Sequence, residues 1–186
     1  MRCDLPACGG TALRRLLASR DERAFVQRIM LGHGGVDFAV QVSLNVPGLP
    51  KRMDKDAEAV GYVAGLLFAE MSVTPSASVF LCNCAGAAAI AAFAGDPAEA
   101  KRAAVQVDEG YEWGRAFDID VITSSGPLER TALGFEPRRC LLCPEAAKIC
   151  ALERTHGVSE LREEIRRLLR LVPLRNRRRE DNSARA

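Results

Sequence analysis

The feature that most constrains the fold is an alternating segment near residue 40. Residues 36–46 read VDFAVQVSLNV, and every second residue from Val36 to Val46 is apolar. Successive side chains of a strand point to opposite faces, so this pattern predicts a β-strand with one buried face. Apolar residues at helical spacing lie on both sides of it, over residues 11–30 and 54–71. The chain therefore combines helices and strands within a short length.

The later segments extend this alternation of element types. SVFLCN, residues 78–83, predicts a strand or the first half of a hairpin, and Asp96 with Pro97 begins a helix as N-cap and first residue. Residues 117–123 predict a strand that returns as a second antiparallel strand over residues 128–133. Two amphipathic helices follow, divided at Gly157, with Ser159 as the second N-cap.

The order is helix, strand, helix, strand or hairpin, helix, strand, strand, helix, helix. Two β-α-β units ending in a hairpin predict an α+β fold of the split β-α-β, ferredoxin-like kind. We expect an antiparallel or mixed sheet with helices on one face and a C-terminal helical pair.

Length and charge limit the organisation and the partners. With 186 residues we expect one domain over residues 1–173, whose Cys-rich helical portion spans 138–173, and a disordered basic tail over 174–186. The net charge of +2 is too small to indicate general nucleic-acid binding, so no nucleic-acid partner is expected. Residues 71–95 carry no charge, but Pro75, Asn83 and many alanines favour a buried hairpin over a membrane span. The start lacks a secretory pattern and the seven cysteines are odd in number, which predicts reduced thiols and a cytoplasmic location.

Two aspartates lie one residue apart in the predicted strand GRAFDIDV. Residues i and i+2 share a face, so Asp118 and Asp120 should project together while Phe117, Ile119 and Val121 face the core. Two adjacent carboxylates repel, and a divalent metal would neutralise them. Mg²⁺ takes one or two carboxylates together with phosphate oxygens and water, as in phosphoryl or nucleotidyl transfer. A solvated surface pair is the alternative.

Two basic residues near this strand suit a polyphosphate. Arg115 lies just upstream of the aspartates, and Lys51 follows the NVPG turn. For Arg115, an ion pair with Glu112 or Asp118 is an equally good interpretation.

A cysteine and histidine block follows the strands. Cys140, Cys143, Cys150 and His156 have the composition of a structural Zn²⁺ site. If Pro144 began a continuous helix, however, Cys143 and Cys150 would lie about 10.5 Å apart along its axis, which disfavours zinc. The alternative is buried thiols that pack helices, with His156 near a helix end or touching a substrate phosphate.

Four motifs together resemble one enzyme family. They are SRDERAFVQ (19–27), NVPGLPK (45–51), GRAFDIDV (114–121) and RRCLLCPEAAKICALERTH (138–156). In this order they are similar to the citrate lyase holo-acyl-carrier-protein synthases, also called apo-citrate lyase phosphoribosyl-dephospho-CoA transferases. The chain departs from the family's pattern at CAGAAAI (84–90), at Tyr111 and at Leu152.

The resemblance implies a reaction and its partners. The donor would be 2'-(5''-triphosphoribosyl)-3'-dephospho-CoA, the acceptor a serine of the citrate lyase acyl carrier protein (the gamma subunit), and pyrophosphate would leave. It implies Mg²⁺ on Asp118 and Asp120, which are also the catalytic candidates, and phosphate contacts from Arg115 and Lys51.

The motifs also supply secondary candidates. Arg20 and Arg23 are further phosphate-binding or carrier-docking candidates, although a salt bridge with Asp21 or Glu22 is the alternative.

Two other functions are compatible with the same residues. The acidic strand is loosely similar to that of the ferredoxin-like folate-pathway pyrophosphokinase, so a pyrophosphokinase-like enzyme acting on a small molecule is one alternative. A zinc-stabilised binding module without catalysis is the other.

Overall fold

The computed structural model describes residues 11–174. Its helices are α1 (Ala12–Leu31), α2 (Asp56–Glu70), α3 (Pro97–Gly110), α4 (Ala147–Glu153) and α5 (Val158–Leu171). Its strands are β1 (Phe38–Leu44), β2 (Ala77–Asn83), β3 (Gly86–Phe93), β4 (Phe117–Thr123) and the two-residue β5 (Gly126–Pro127). The predicted basic tail, apart from residue 174, lies outside the described residues.

The sheet has the predicted topology. Its strand order is β2-β3-β1-β4-β5, and every neighbouring pair is antiparallel. In each β-α-β unit the two strands are separated by a strand of the other unit, which confirms the α+β class and the split β-α-β, ferredoxin-like order. The uncharged segment forms the hairpin β2–β3, and within the described residues no helix is long and apolar enough to cross a membrane.

The main core lies between one face of the sheet and helices α2, α3 and α5. Phe38, Val40 and Val42 of β1 point into it, and α5 contributes Ile165 and Leu168. A continuous core across these elements places α5 in the same folding unit as the sheet.

Helix α1 lies on the opposite face, and here the prediction that the helices share one face is wrong. Met30 of α1 packs with Ile90 and Ala92 of β3 in a second, smaller cluster. All eight residues of β3 are buried, because the strand is covered on both sides. A strand covered on both sides consists mainly of apolar residues, and the β3 sequence GAAAIAAF has this composition.

The return strand predicted over residues 128–133 is also wrong. Only Gly126 and Pro127 pair with β4, and residues Arg130–Leu133 form a 3-10 turn instead. One further bond, from the Leu128 N–H to the Val121 carbonyl over 2.8 Å, follows Pro127 before the chain leaves the sheet. The outer edge of β4 is consequently left without a partner strand over most of its length in the described chain.

The cysteine block is not a continuous helix. Residues 139 and 146 form an isolated antiparallel bridge, and α4 begins only at Ala147. A helix is disfavoured at the residue before a proline, and Cys143 precedes Pro144. The sulfur atoms of Cys143 and Cys150 therefore lie 3.4 Å apart, so the helical spacing that disfavoured zinc is wrong.

Two smaller predictions also need correction. Helix α5 is capped at Gly157, whose N–H donates to the Glu160 carboxylate, and not at Ser159. Cys84, Cys140, Cys143 and Cys150 are free thiols, whereas Cys82 takes part in a disulfide, so the prediction of reduced cysteines is wrong for Cys82.

Candidate active site

Asp118 and Asp120 lie on the sheet face opposite the main core. Across the antiparallel pair with β1, they align with Ser43 and Gln41. Phe117 and Val121, which flank them along the strand, are buried in the core, and Ile119 between them packs against it. The prediction that the two carboxylates share a face is confirmed.

The two carboxylates differ in their surroundings. The Asp118 side chain is 53% exposed, whereas Asp120 is largely buried. Burial, reinforced by the negative charge of Asp118, raises the pKa of Asp120 to about 6, although Lys101 acts in the opposite direction. The two carboxylates therefore repel each other when both are ionised, and a bound cation would reduce this repulsion.

The pair offers two of the ligands that Mg²⁺ takes. Among the described residues, no third histidine, cysteine or carboxylate joins Asp118 and Asp120 to complete a ligand cluster. Mg²⁺ binds through one or two carboxylates together with phosphate oxygens and water. The arrangement thus fits a metal that arrives with a phosphate-bearing substrate.

A cavity of about 400 Å³, the edge cavity, lies along the outer edge of β4. Both aspartates line it, and α3 and the segment after β5 form its walls; its other charged lining residues include Lys101, Glu129, Arg130 and Arg138. Lys101 Nζ donates to the Ile119 carbonyl over 3.4 Å, and Arg138 donates to the Phe117 carbonyl over 2.5 Å. These cations satisfy edge carbonyls that an additional strand would otherwise pair.

Arg138 is the most connected cation of this cavity. It donates to the Asp108 carboxylate over 2.7 Å and to the Arg115 carbonyl over 2.9 Å, and its guanidinium lies 3.8 Å from Asp118. Asp108 is buried and also pairs with Arg130, so it holds two arginines in place.

A second cavity of about 330 Å³, the α1 cavity, lies between α1 and the sheet. Arg20, Arg23 and Lys51 line it together with Asp118, although the sequence separates them widely. The fold thus brings three predicted cations and one predicted carboxylate to one opening.

Backbone contacts fix two of these cations. Arg23 donates to the carbonyls of Ala85 and Gly86 over 3.0 and 2.8 Å, and Lys51 donates to that of Val46 over 2.5 Å. Burial lowers the pKa of Lys51, and the positive charge of Arg20 lowers it further. Cations crowded in this way favour an anionic ligand between them.

The alternative salt bridges for α1 do not form. Within residues 11–174, neither Arg20 nor Arg23 pairs with Asp21 or Glu22. Glu22 instead accepts from the side chain of Asn83.

Two predicted site residues lie elsewhere. Arg115 donates to the Arg139 carbonyl over 3.1 Å, lines neither cavity, and forms no ion pair with Glu112 or Asp118 in the described chain. Glu112 pairs with Arg167 instead. His156 lies among the cysteines, with its Nε2 3.3 Å from Cys143 Sγ.

The sequence analysis missed Lys101 and Arg138. Lys101 lies on α3 among ordinary helical charges, and nothing local marks it. Arg138 opens the RRC part of the cysteine block, so its place beside a recognised motif was the one available signal.

Comparisons with known proteins match nearly the whole described chain. The sequence model of the family described as apo-citrate lyase phosphoribosyl-dephospho-CoA transferase matches residues 11–171. A protein of that name from Escherichia coli O9:H4 (strain HS) is 29% identical over 170 residues, covering 89% of this chain and 92% of the relative. A protein of the same name from Shigella boydii serotype 18 (strain CDC 3083-94 / BS512) is similar to the same extent, with 29% identity over 170 residues.

Proposed function

The chain belongs to the apo-citrate lyase phosphoribosyl-dephospho-CoA transferase family, and from this premise we propose the reaction that it catalyses. It transfers the phosphoribosyl-dephospho-CoA group from 2'-(5''-triphosphoribosyl)-3'-dephospho-CoA to a serine of the citrate lyase acyl carrier protein, the gamma subunit. Pyrophosphate leaves, so the chemistry is of the nucleotidyltransferase type. The reaction would take place in the cytoplasm, which remains a prediction.

One observation carries the proposal: the exposed carboxylate of the acidic pair lines a cavity that also contains three cations. Asp118 lines the α1 cavity together with Arg20, Arg23 and Lys51, and Asp120 follows it on the same strand face. Cations bind the oxygens of a triphosphate, and carboxylates bind the metal that accompanies it. An exposed acidic pair without function would not need three converging cations.

The chain's own residues divide the work as follows. Arg20, Arg23 and Lys51 hold the phosphates of the donor, and Asp118 and Asp120 hold Mg²⁺. When bound, Mg²⁺ supplies positive charge that offsets the charge developing on the departing pyrophosphate. Either aspartate could accept the serine proton, since both line the edge cavity.

In the proposed step one bond to phosphorus forms and one breaks. A bond forms between the serine oxygen and the α-phosphorus, and the bond from the α-phosphorus to the bridging oxygen of the β-phosphate breaks. The serine proton passes to a carboxylate, and the electron pair leaves with pyrophosphate. The acceptor becomes a phosphodiester without any oxidant or reductant.

Mass spectrometry of the carrier protein tests this proposal. We expect apo carrier protein, incubated with the triphosphate donor, Mg²⁺ and this protein, to gain the mass of the prosthetic group. Asp118→Asn and Asp120→Asn should each lower the rate about 100-fold or more, because each removes a metal-binding charge. Asp96→Asn is the matched control, because Asp96 is an exposed helix cap that asparagine replaces well.

Other results would favour the alternatives. If the carrier gains no mass while a small acceptor gains diphosphate, the pyrophosphokinase-like function is correct. If both aspartate variants transfer the group at the normal rate, the assignment of the acidic pair is wrong. A carrier that binds without modification would favour the non-catalytic module.

A further inference from the structure

We propose that Cys140, Cys143, Cys150 and His156 bind one structural Zn²⁺ ion, which holds the Arg138 segment against the acidic strand. One ligand atom from each of the four residues lies within 4.8 Å of all the others. Within the described chain, no other group of three or more such residues converges in this way. The inference does not depend on the transfer reaction proposed above.

Two of the separations are close to those of a tetrahedral site. Cys143 Sγ lies 3.4 Å from Cys150 Sγ and 3.3 Å from His156 Nε2. With Zn–S bonds of about 2.3 Å and Zn–N bonds of about 2.0 Å, ligands at tetrahedral angles lie about 3.5–3.8 Å apart. Adjustments of a few tenths of an ångström bring these two pairs to the tetrahedral values, and no ligand atom lies more than 4.8 Å from another.

The ligands come from three segments of the backbone: a hairpin, helix α4 and the link between α4 and α5. Cys140 and Cys143 lie on a tight hairpin closed by the Cys140 N–H to the Glu145 carbonyl at 2.7 Å. Cys150 belongs to α4, and His156 lies in the link to α5.

Competing roles for the four groups fit less well. Cys140 and Cys150 are buried, yet none of the three cysteines belongs to either hydrophobic cluster. Packing alone therefore does not explain why they converge. A disulfide would pair two sulfurs at about 2.05 Å and leave the third cysteine and the histidine without a role. Three thiolates and one imidazole are a recurrent structural zinc set, and four protein ligands leave no position open for catalysis.

The ion would act on the candidate active site through the chain that leads into the hairpin. Arg138 lies two residues before Cys140, and the Ala147 N–H donates to its carbonyl over 2.8 Å. Its side chain reaches Asp108, the Phe117 carbonyl and the neighbourhood of Asp118. Arg139 accepts from Arg115 on the adjoining turn. A closed metal site thus fixes the hairpin that directly follows Arg138, the cation beside the acidic pair.

Metal analysis of the full chain is the direct test. We expect protein from zinc-supplemented cells, purified without chelator, to contain about one zinc per chain by plasma mass spectrometry. Replacement by Co²⁺ should give the visible absorption of tetrahedral cobalt bound to thiolates. Zinc well below one per chain after this preparation, or iron in its place, would overturn the proposal.

Variants identify the ligands independently of activity. His156→Ala should weaken zinc binding at least tenfold in a competition titration against a colorimetric chelator, whereas His156→Cys should restore it because it supplies a fourth thiolate. Cys84→Ser is the matched control, since Cys84 is a free thiol outside the cluster, and it should retain full zinc.

The wild-type chain provides a test if cysteine variants do not fold. Stripping zinc with a strong chelator should lower the melting temperature, and adding zinc back should restore it. A chelated protein with zinc removed and an unchanged melting temperature would contradict the structural role.

Discussion

At the scale of single residues, the fold disfavours the ionised form of the Asp120 carboxyl group. Its carboxylate is mostly buried, lies beside that of Asp118, and has a pKa raised to about 6. A pKa that is higher in the folded state means that the folded state binds a proton more tightly than the unfolded chain does. The free energy of unfolding should therefore fall as the pH rises from about 4 through 6, as far as this group contributes.

Asp120→Asn should accordingly stabilise the metal-free protein while it abolishes transfer. The rise from 3.8 to about 6 corresponds to about 1–3 kcal/mol in the free energy of unfolding at pH 7, with no gain below about pH 4, where Asp120 is protonated in both states. Urea denaturation in EDTA at pH 4 and pH 7 measures it. A variant less stable than the wild type at pH 7 would contradict this account.

The acidic pair could be predicted from sequence because alternation along one strand is a local rule. Arg138 and Lys101 could not, since they bond to carbonyls of β4 that lie 21 and 18 residues away in the chain. Arg115 lies in the 3-10 turn Gly114–Ala116, before the strand begins, so the alternation of β4 does not tell which way its side chain faces. A residue's neighbours in space follow from sequence only within an element.

At the scale of elements, helix α5 supports the turn that carries Lys51. Arg162 donates to the carbonyls of Pro47 and Pro50 over 3.0 and 2.9 Å. These bonds join the last helix to a turn more than 110 residues earlier in the chain. Lys51 reaches the α1 cavity from that turn, so its position depends on α5.

Arg162→Ala should therefore weaken the binding of triphosphate or pyrophosphate several-fold and leave the chemical step less affected. Loss of two bonds from a cation to carbonyls should also cost about 1–3 kcal/mol in the free energy of unfolding. Calorimetric titration with pyrophosphate and Mg²⁺ measures the affinity. Arg166→Ala is the control, because Arg166 lies one turn further along α5 and pairs only with Glu163 at the surface. Equal effects of the two variants would refute the support role.

Helices and strands could be predicted where the apolar periodicity extends over many residues. In the cysteine block the periodic stretch is short, and the predicted helix is wrong there. Its residues satisfy a helical pattern over a short stretch, but Pro144 and the bond from Cys140 N–H to Glu145 close a hairpin instead. Likewise the 3-10 turn before the acidic strand begins at Gly114, where a side chain would overlap the backbone of α3 and lie 2.7 Å from the Asp108 carbonyl oxygen. Such close approaches between elements have no periodic signature.

At the scale of the whole molecule, the described chain has one continuous main core. Ile165 and Leu168 of α5 are buried in the same hydrophobic cluster as residues of β1, β4 and α3. The C-terminal helical portion is thus part of the folding unit and not an appended module. The α+β class followed from the order of periodic segments, whereas the position of α1 did not. Four apolar residues of its predicted stripe, Leu13, Leu17, Phe25 and Ile29, are exposed.

Ile165→Ala should destabilise the entire protein in one transition. Removing a fully buried isoleucine side chain should lower the free energy of unfolding by about 2–5 kcal/mol. Urea unfolding followed by far-ultraviolet circular dichroism and by Trp113 fluorescence should give coincident curves. Leu171→Ala, at a position 43% exposed on the same helix, should change stability by well under that amount. Separate transitions by the two probes would indicate an independent C-terminal unit.

Asp118 borders both the edge cavity and the α1 cavity, and this has a stereochemical consequence for the proposed transfer. When a nucleophile attacks phosphorus from the side opposite the leaving group, the three remaining oxygens move through a plane to the other side. If pyrophosphate departs among the cations beneath α1, the carrier serine approaches along β4. The configuration at a chirally labelled α-phosphorus would then be inverted, as a single direct displacement requires.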